Sequence, residues 1–118
     1  MKKLNSREIR EFISGPLFDE EIILKKDPSW PKISIVMPSY NQVQFLERAI
    51  LSVLNQNYPN LEFIIMDGGS TDGSLEIIKK YERYLSYWVS ESDCGQADAI
   101  NKGFYESTGV VLGCILTP

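Results

Sequence analysis

Histidine is absent from this chain of 118 residues, and cysteine occurs only at Cys94 and Cys114. Without imidazole and without a CxxC pair, zinc and dithiol-redox chemistry have no ligand set to build on. The first residues, MKKLNSREIREF, lead into no apolar signal core, so the two thiols are expected to be reduced and partly buried. Long hydrophobic runs are missing too: none approaches the roughly eighteen residues of a membrane span. Lysine and arginine form no cluster beyond Lys25-Lys26, and the net charge is −4. A nucleic-acid partner, whose affinity would rest on phosphate neutralisation, is therefore not expected.

What is present is a hydrophobic share of 43%, enough for one globular domain with its own core. Residues 1–31 read as a polar, mixed-charge arm that docks on the rest. Within it Ile9, Phe12 and Ile13, then Leu17 and Phe18, have the spacing of a short amphipathic helix, interrupted by Gly15-Pro16. Residues 32–118 read as the domain proper. ISIVM (Ile33 to Met37) is a β-branched run of the kind that a strand covered on both faces requires. After PSYNQ, apolar residues recur at Phe45, Leu46, Ala49, Ile50, Val53 and Leu54, one face of a helix that Tyr58-Pro59-Asn60 closes.

The unit then repeats. LEFIIM (Leu61 to Met66) is a strand, DGGSTDG a loop, and Leu75, Ile78, Tyr81 and Leu85 mark a helical stripe with Asp72 or Thr71 as its N-cap. A third strand near Tyr87-Trp88-Val89 precedes the loop SESDCG and a helix through Ala97, Ile100 and Phe104; Val110 to Leu116 reads as a fourth strand. This alternation predicts an α/β fold with a parallel, right-handed, Rossmann-like sheet and flanking helices. Ligands of such sheets bind beyond the carboxyl ends of the strands, so PSYNQ, DGGSTDGS and SESDCGQAD all open onto one edge.

A glycine-rich loop after a strand suggests phosphate cradling, but neither GxxxxGKS/T nor GxGxxG is present, and Asp67 would repel a diphosphate. A neutral donor suits that carboxylate better. The N3–H of a uracil ring is one, with nearby backbone groups reading the ring carbonyls where glycines let the chain turn closely. The diphosphate would then need its own cation, a divalent metal on further acidic oxygens.

Each candidate residue also has a plain structural reading. Asp67 can satisfy the donors of a tight turn, and Asp72, Ser39 and Asn41 can cap helices. Tyr40 can fill the core, Asp93 and Asp98 can favour a helix start, and Lys102 can be a solvated charge. Tyr81, Tyr84, Tyr87 and Trp88 suit core packing as well as sugar stacking. Gly73 and Gly103 read as backbone devices.

PSYNQ, then LxxAIxSVLxQxYPNLEFIIMDGGSTDGSLEII, then YWVSESDxGQADAINKGFxxSTG closely resembles the amino-terminal half of family 2 glycosyltransferases, over roughly Pro31 to Gly113. The resemblance implies a GT-A fold and transfer of a sugar from a nucleotide-sugar, a UDP-sugar first of all, to a glycan or lipid-linked acceptor. It implies that Pro38, Ser39, Tyr40 and Asn41 line the nucleoside pocket, that Asp67 binds the base, and that Gly68 and Asp72 belong to the same motif. It further implies that Asp93, Gly95, Gln96, Asp98, Asn101 and Lys102 flank the ribose and diphosphate, with Mn or Mg as the cation. A cytoplasmic setting, or one peripheral to the inner membrane face, and a role in polysaccharide synthesis go with it.

Three departures stand out. Gly68 replaces a second acid common in relatives, and Ile100 stands where many have an arginine. Where the family's fourth strand meets an Asp-x-Asp-type metal motif, this sequence reads GCILTP and stops. The expectation is a truncated donor-binding half without that motif, without the acceptor half and without its general base. Two alternatives stay open: a catalytically inactive nucleotide-binding module, and a fragment that self-associates through an exposed sheet edge.

Overall fold

The two nearly continuous apolar runs form neighbouring central strands, β1 (Ile33–Ser39) and β2 (Leu61–Asp67). A computed structural model of the chain describes residues 18–92, 95–109 and 111–114. Strand β3 (Tyr87–Ser90) pairs with β2, and β4 (Val111–Cys114) pairs with β1, all in parallel, giving the order β3-β2-β1-β4. The chain thus adds strands outward from β1 through β3, then returns to the other side of β1. The order reverses between β1 and β4, where open α/β sheets form their crevices.

Among the described residues, four α-helices accompany these strands: α1 (Glu20–Lys25), α2 (Val43–Leu54), α3 (Ser74–Lys80) and α4 (Gln96–Glu106). Side chains alternate across the sheet, and each set meets a different layer. Met37, Phe63 and Ile65 pack with Leu46 and Ile50 of α2 and Ile78 of α3. Val36, Ile64 and Met66 pack on the other face with Ala99 of α4. This double covering is why the strands read as unbroken apolar runs; fully burying each large aliphatic or aromatic side chain is worth about 1.5–3 kcal/mol. Helix α4 comes very close: a Cβ at Gly103 would fall well inside van der Waals contact with Val36 Cγ1 and 3.1 Å from Met66 Cγ.

Two stretches differ from the sequence expectation. No helix was expected over Glu20–Lys25. It is capped by Asp19, whose side chain accepts from the Glu21 N–H at 3.0 Å, and it buries Ile23 in the core beside α2. Of the stripe expected to form a helix, Ile9, Phe12, Ile13 and Leu17 lie outside the described residues, and Phe18 packs edge-on against Tyr84 at 5.0 Å. The stripe Leu75–Leu85 is not one helix: α3 ends at Lys80 and a 3-10 turn follows over Glu82–Tyr84. The tighter turn brings the Ser86 N–H to the Phe63 carbonyl at 2.8 Å, which starts the approach of β3 to β2.

Candidate active site

A cleft of about 470 Å³ opens at the carboxyl end of the sheet. Pro38, Ser39 and Tyr40 supply one wall from the end of β1, and Gly68 stands just past β2. Ser92 and Gly95 come from the β3–α4 loop, Gln96 and Ala99 from α4, and Gln42 from the loop before α2. Tyr40 is 60% exposed, so it is not core filler; its ring is available at the rim. Of the residues singled out in the sequence, the structure brings Pro38, Ser39, Tyr40, Gly68, Gly95 and Gln96 together here. Gln42, Ser92 and Ala99 were missed as candidates. The first two sit within the polar loops, and Ala99 follows Gln96 by three positions, which puts both on one side of the helix.

Asp67, expected either to accept from a base or to satisfy the donors of a tight turn, is 1% exposed and accepts from the loop that follows it. Oδ2 accepts from the N–H of Gly69 at 3.1 Å, the N–H of Ser70 at 2.8 Å and the Ser90 hydroxyl at 2.8 Å. Oδ1 accepts from the Ser70 hydroxyl at 2.6 Å. Three of these donors converge on Oδ2 and one reaches Oδ1. Residue 67 shares the sheet face of Phe63 and Ile65, and the bonds from Gly69 and Ser70 hold its carboxylate beneath the loop. Gly68 is the residue that reaches the cleft, its N–H held by the Ser39 carbonyl at 2.8 Å.

Asn41 and Asp72 lock the first two loops together. The Asn41 N–H donates to Ser70 Oγ at 2.8 Å, and Asn41 Oδ1 accepts from the Thr71 N–H at 2.8 Å. Asp72 Oδ2 accepts from the Val43 N–H at 3.0 Å, and Oδ1 from the N–H and hydroxyl of Ser74 at 3.1 and 2.6 Å. It therefore serves the first residues of both α2 and α3. The Ser74 hydroxyl and the Val43 N–H hold its carboxyl below the usual aspartate range, against a small opposing push from burial. The formal cap positions are Gln42 for α2 and Gly73, in the left-handed region at φ 100, for α3. Neither Asp72, Thr71, Ser39 nor Asn41 occupies a cap position. Among the described residues, Ser39 Oγ is buried with no hydrogen-bond partner.

On α4, Lys102 pairs with Asp98 at 3.2 Å and stands 3.9 Å from Glu91. Asn101 is exposed one position earlier. These three do not line the cleft, and Asp93 lies outside the described residues, as does Cys94. Tyr81 is core, Tyr84 is half-buried, Trp88 is half-buried with its ring N–H donating to Glu82, and Tyr87 stands partly exposed on the edge strand.

Among the described residues, no group of three acids or cysteines stands close enough to hold a metal ion. Asp67 is buried under its own loop and Asp72 is engaged by three donors, so the described residues do not fit the divalent cation that the resemblance implies. Among them, too, no helix is long and apolar enough to cross a membrane.

A parallel sheet covered on both faces, with a cleft at the strand ends where the order reverses, defines a Rossmann-like α/β protein. Residues 34–115 match the family model of glycosyl transferase family 2. An uncharacterized glycosyltransferase of Haemophilus influenzae is 42% identical over 82 residues, 67% of this chain and 33% of that protein. TuaG of Bacillus subtilis, named for teichuronic acid biosynthesis, is 37% identical over 67% of this chain and 32% of its own length. Among solved structures, S. aureus TarS 1–349 in complex with UDP is 26% identical with a TM-score of 0.65, over 72% of this chain and 27% of that one. A mannosyltransferase of Pyrobaculum calidifontis, in complex with GDP-Man and Mn2+, is 25% identical with a TM-score of 0.63, over 87% and 31%. The chain belongs to glycosyl transferase family 2 and has the GT-A type of fold. It spans about a third of the length of these relatives.

Proposed function

We propose that residues 32–118 bind the nucleotide-sugar donor of a glycosyltransferase, with residues 1–31 as an arm docked against them. The observation that carries this reading is the cleft at the ends of β1 and β2, lined by neutral polar groups beside the open ring of Tyr40. In this reading Pro38, Tyr40 and Gly68 receive the nucleoside, Tyr40 by stacking on the base. The start of α4 at Gly95 and Gln96 takes the diphosphate side, where a helix N-terminus favours negative charge. Asp67, Asn41 and Asp72 hold the loops rather than touch the base, and Asp98, Asn101 and Lys102 border the phosphate side.

A UDP-sugar is the donor favoured here, in keeping with the UDP complex of the similar TarS protein. The acceptor in this reading is a glycan or lipid-linked saccharide in cell-envelope polysaccharide synthesis, at the cytoplasmic side. Mn or Mg belongs to the whole enzyme, on residues other than those described. Self-association through the outer edge of the sheet is part of the same reading, β4 being paired on one side by β1 among the described residues.

Calorimetry with UDP and UDP-sugars, with and without manganese, tests the proposal. The expected result is saturable heat from the chain that is weakened by Tyr40→Ala by about 1 kcal/mol, the worth of a base–aromatic stack. No heat with any nucleotide would overturn it.

A further inference from the structure

A second hollow, of about 530 Å³, adjoins the cleft on the side of the β1–α2 loop. Tyr40 and Gln42 line both, so they form the ridge between them. The new hollow holds a second exposed ring, Phe45, 40% accessible. Phe45 falls in the apolar stripe of α2, yet it belongs to neither core cluster. Core packing therefore does not account for it.

The rest of the lining is mostly polar: Asn41, Gln42, Gln44 and Asp72, with no lysine or arginine among the described residues. The loop is fixed in place before any ligand arrives. Asn41 sits in the left-handed region at φ 48 and is bonded to Ser70 and Thr71, and the Val43 N–H is held by Asp72. Binding to a loop already ordered in this way costs little further entropy.

Two rings among amides and one carboxylate suit a particular chemistry. A pyranose has an apolar face of C–H groups, which stacks on an aromatic ring, and hydroxyls that both donate and accept, which pair with amide and carboxylate groups. A phosphate or uronate would meet the Asp72 charge with no cation to offset it. A purely aliphatic ligand would leave the amides buried without partners.

We propose that the hollow between Tyr40 and Phe45 binds a pyranose unit of a neutral glycan, next to the donor cleft and separate from it. This goes beyond the donor-binding reading: Tyr40 touches both ligands, whereas Gln44 and Phe45 touch the saccharide alone.

The test is an amide NMR titration of the 118-residue chain with maltotetraose, cellotetraose and chitotetraose, and with tetragalacturonate and uridine for comparison. At least one neutral tetrasaccharide should shift the amides of Asn41, Gln44 and Phe45 saturably below about 10 mM. Tetragalacturonate should bind at least about threefold more weakly. Phe45→Ala and Gln44→Ala, shown to be folded by melting curves, should each weaken the saccharide by about threefold or more and leave UDP affinity unchanged. Tyr40→Ala should weaken both ligands. The inference is overturned if no neutral tetrasaccharide shifts these amides, if uridine or tetragalacturonate shifts them at lower concentration, or if folded Phe45→Ala binds the saccharide as the parent does. A parent chain that binds saccharide at these residues but no UDP overturns the donor reading and leaves this inference standing.

Discussion

The Ser90 hydroxyl donates to Asp67 Oδ2 across 2.8 Å, joining the last residue of β3 to the last residue of β2. With the donors of Gly69 and Ser70, it makes Asp67 the point at which the second loop is fastened to the sheet. Asp67→Ala would strand these buried donors and should destabilise the chain by about 3 kcal/mol, read from urea unfolding midpoints. A side chain whose business was the ligand would give the opposite pattern, with affinity lost and the unfolding midpoint unchanged.

Acid sensitivity should arise at the other end of the sheet as well as at Asp72. Burial pushes the Glu62 carboxyl up, but hydrogen bonds from Ser34, from the Thr108 N–H and from the Thr108 hydroxyl, with the charge of Lys32, outweigh it and hold it below the ordinary glutamate range. A depressed folded-state pKa stabilises above the unfolded value, about 4.3 for glutamate, and that contribution is lost as pH falls through the folded value. The parent chain should therefore melt above Glu62→Gln at neutral pH, and the gap should close below about pH 4. Melting curves from pH 7 to pH 3 check this; a gap independent of pH would remove Glu62 from the account.

Close approach of α4 to the sheet gives a steric prediction. Gly103→Ala gains about 1 kcal/mol of helix propensity, yet the new methyl meets the fully buried, β-branched Val36. Overpacking of this kind costs about 1–3 kcal/mol, so the variant should be less stable despite the better helix former. An unfolding midpoint above that of the parent would show that α4 is free to move off β1.

Much of this architecture was legible in the residues. ISIVM and LEFIIM announce doubly covered strands because Val36 and Ile64 meet α4 while Met37 and Ile65 meet α2 and α3. The three loops gather at one edge because parallel pairing leaves no other arrangement. Helix α1 was missed because six residues with one buried side chain, Ile23, leave no periodic signal. The break at Tyr81 was missed because no glycine or proline marks it; the turn is imposed by the pairing of Ser86 with Phe63. Of the two readings that the sequence leaves for Asp67, the donors of a tight turn are the partners seen, Gly69 and Ser70. Asn41 and Asp72 join residues thirty or so apart, Thr71 and Val43, and no local pattern encodes such bonds.

The most direct measurement is a two-dimensional amide NMR titration of the chain with UDP. The account predicts shift changes concentrated at the amides of Tyr40, Gly68, Ser92, Gly95 and Gln96, the residues around the cleft. Glu62 and Thr108, at the opposite end of the sheet, should not move. Saturating UDP that leaves the cleft amides unshifted, or that shifts the Glu62 end instead, would contradict it.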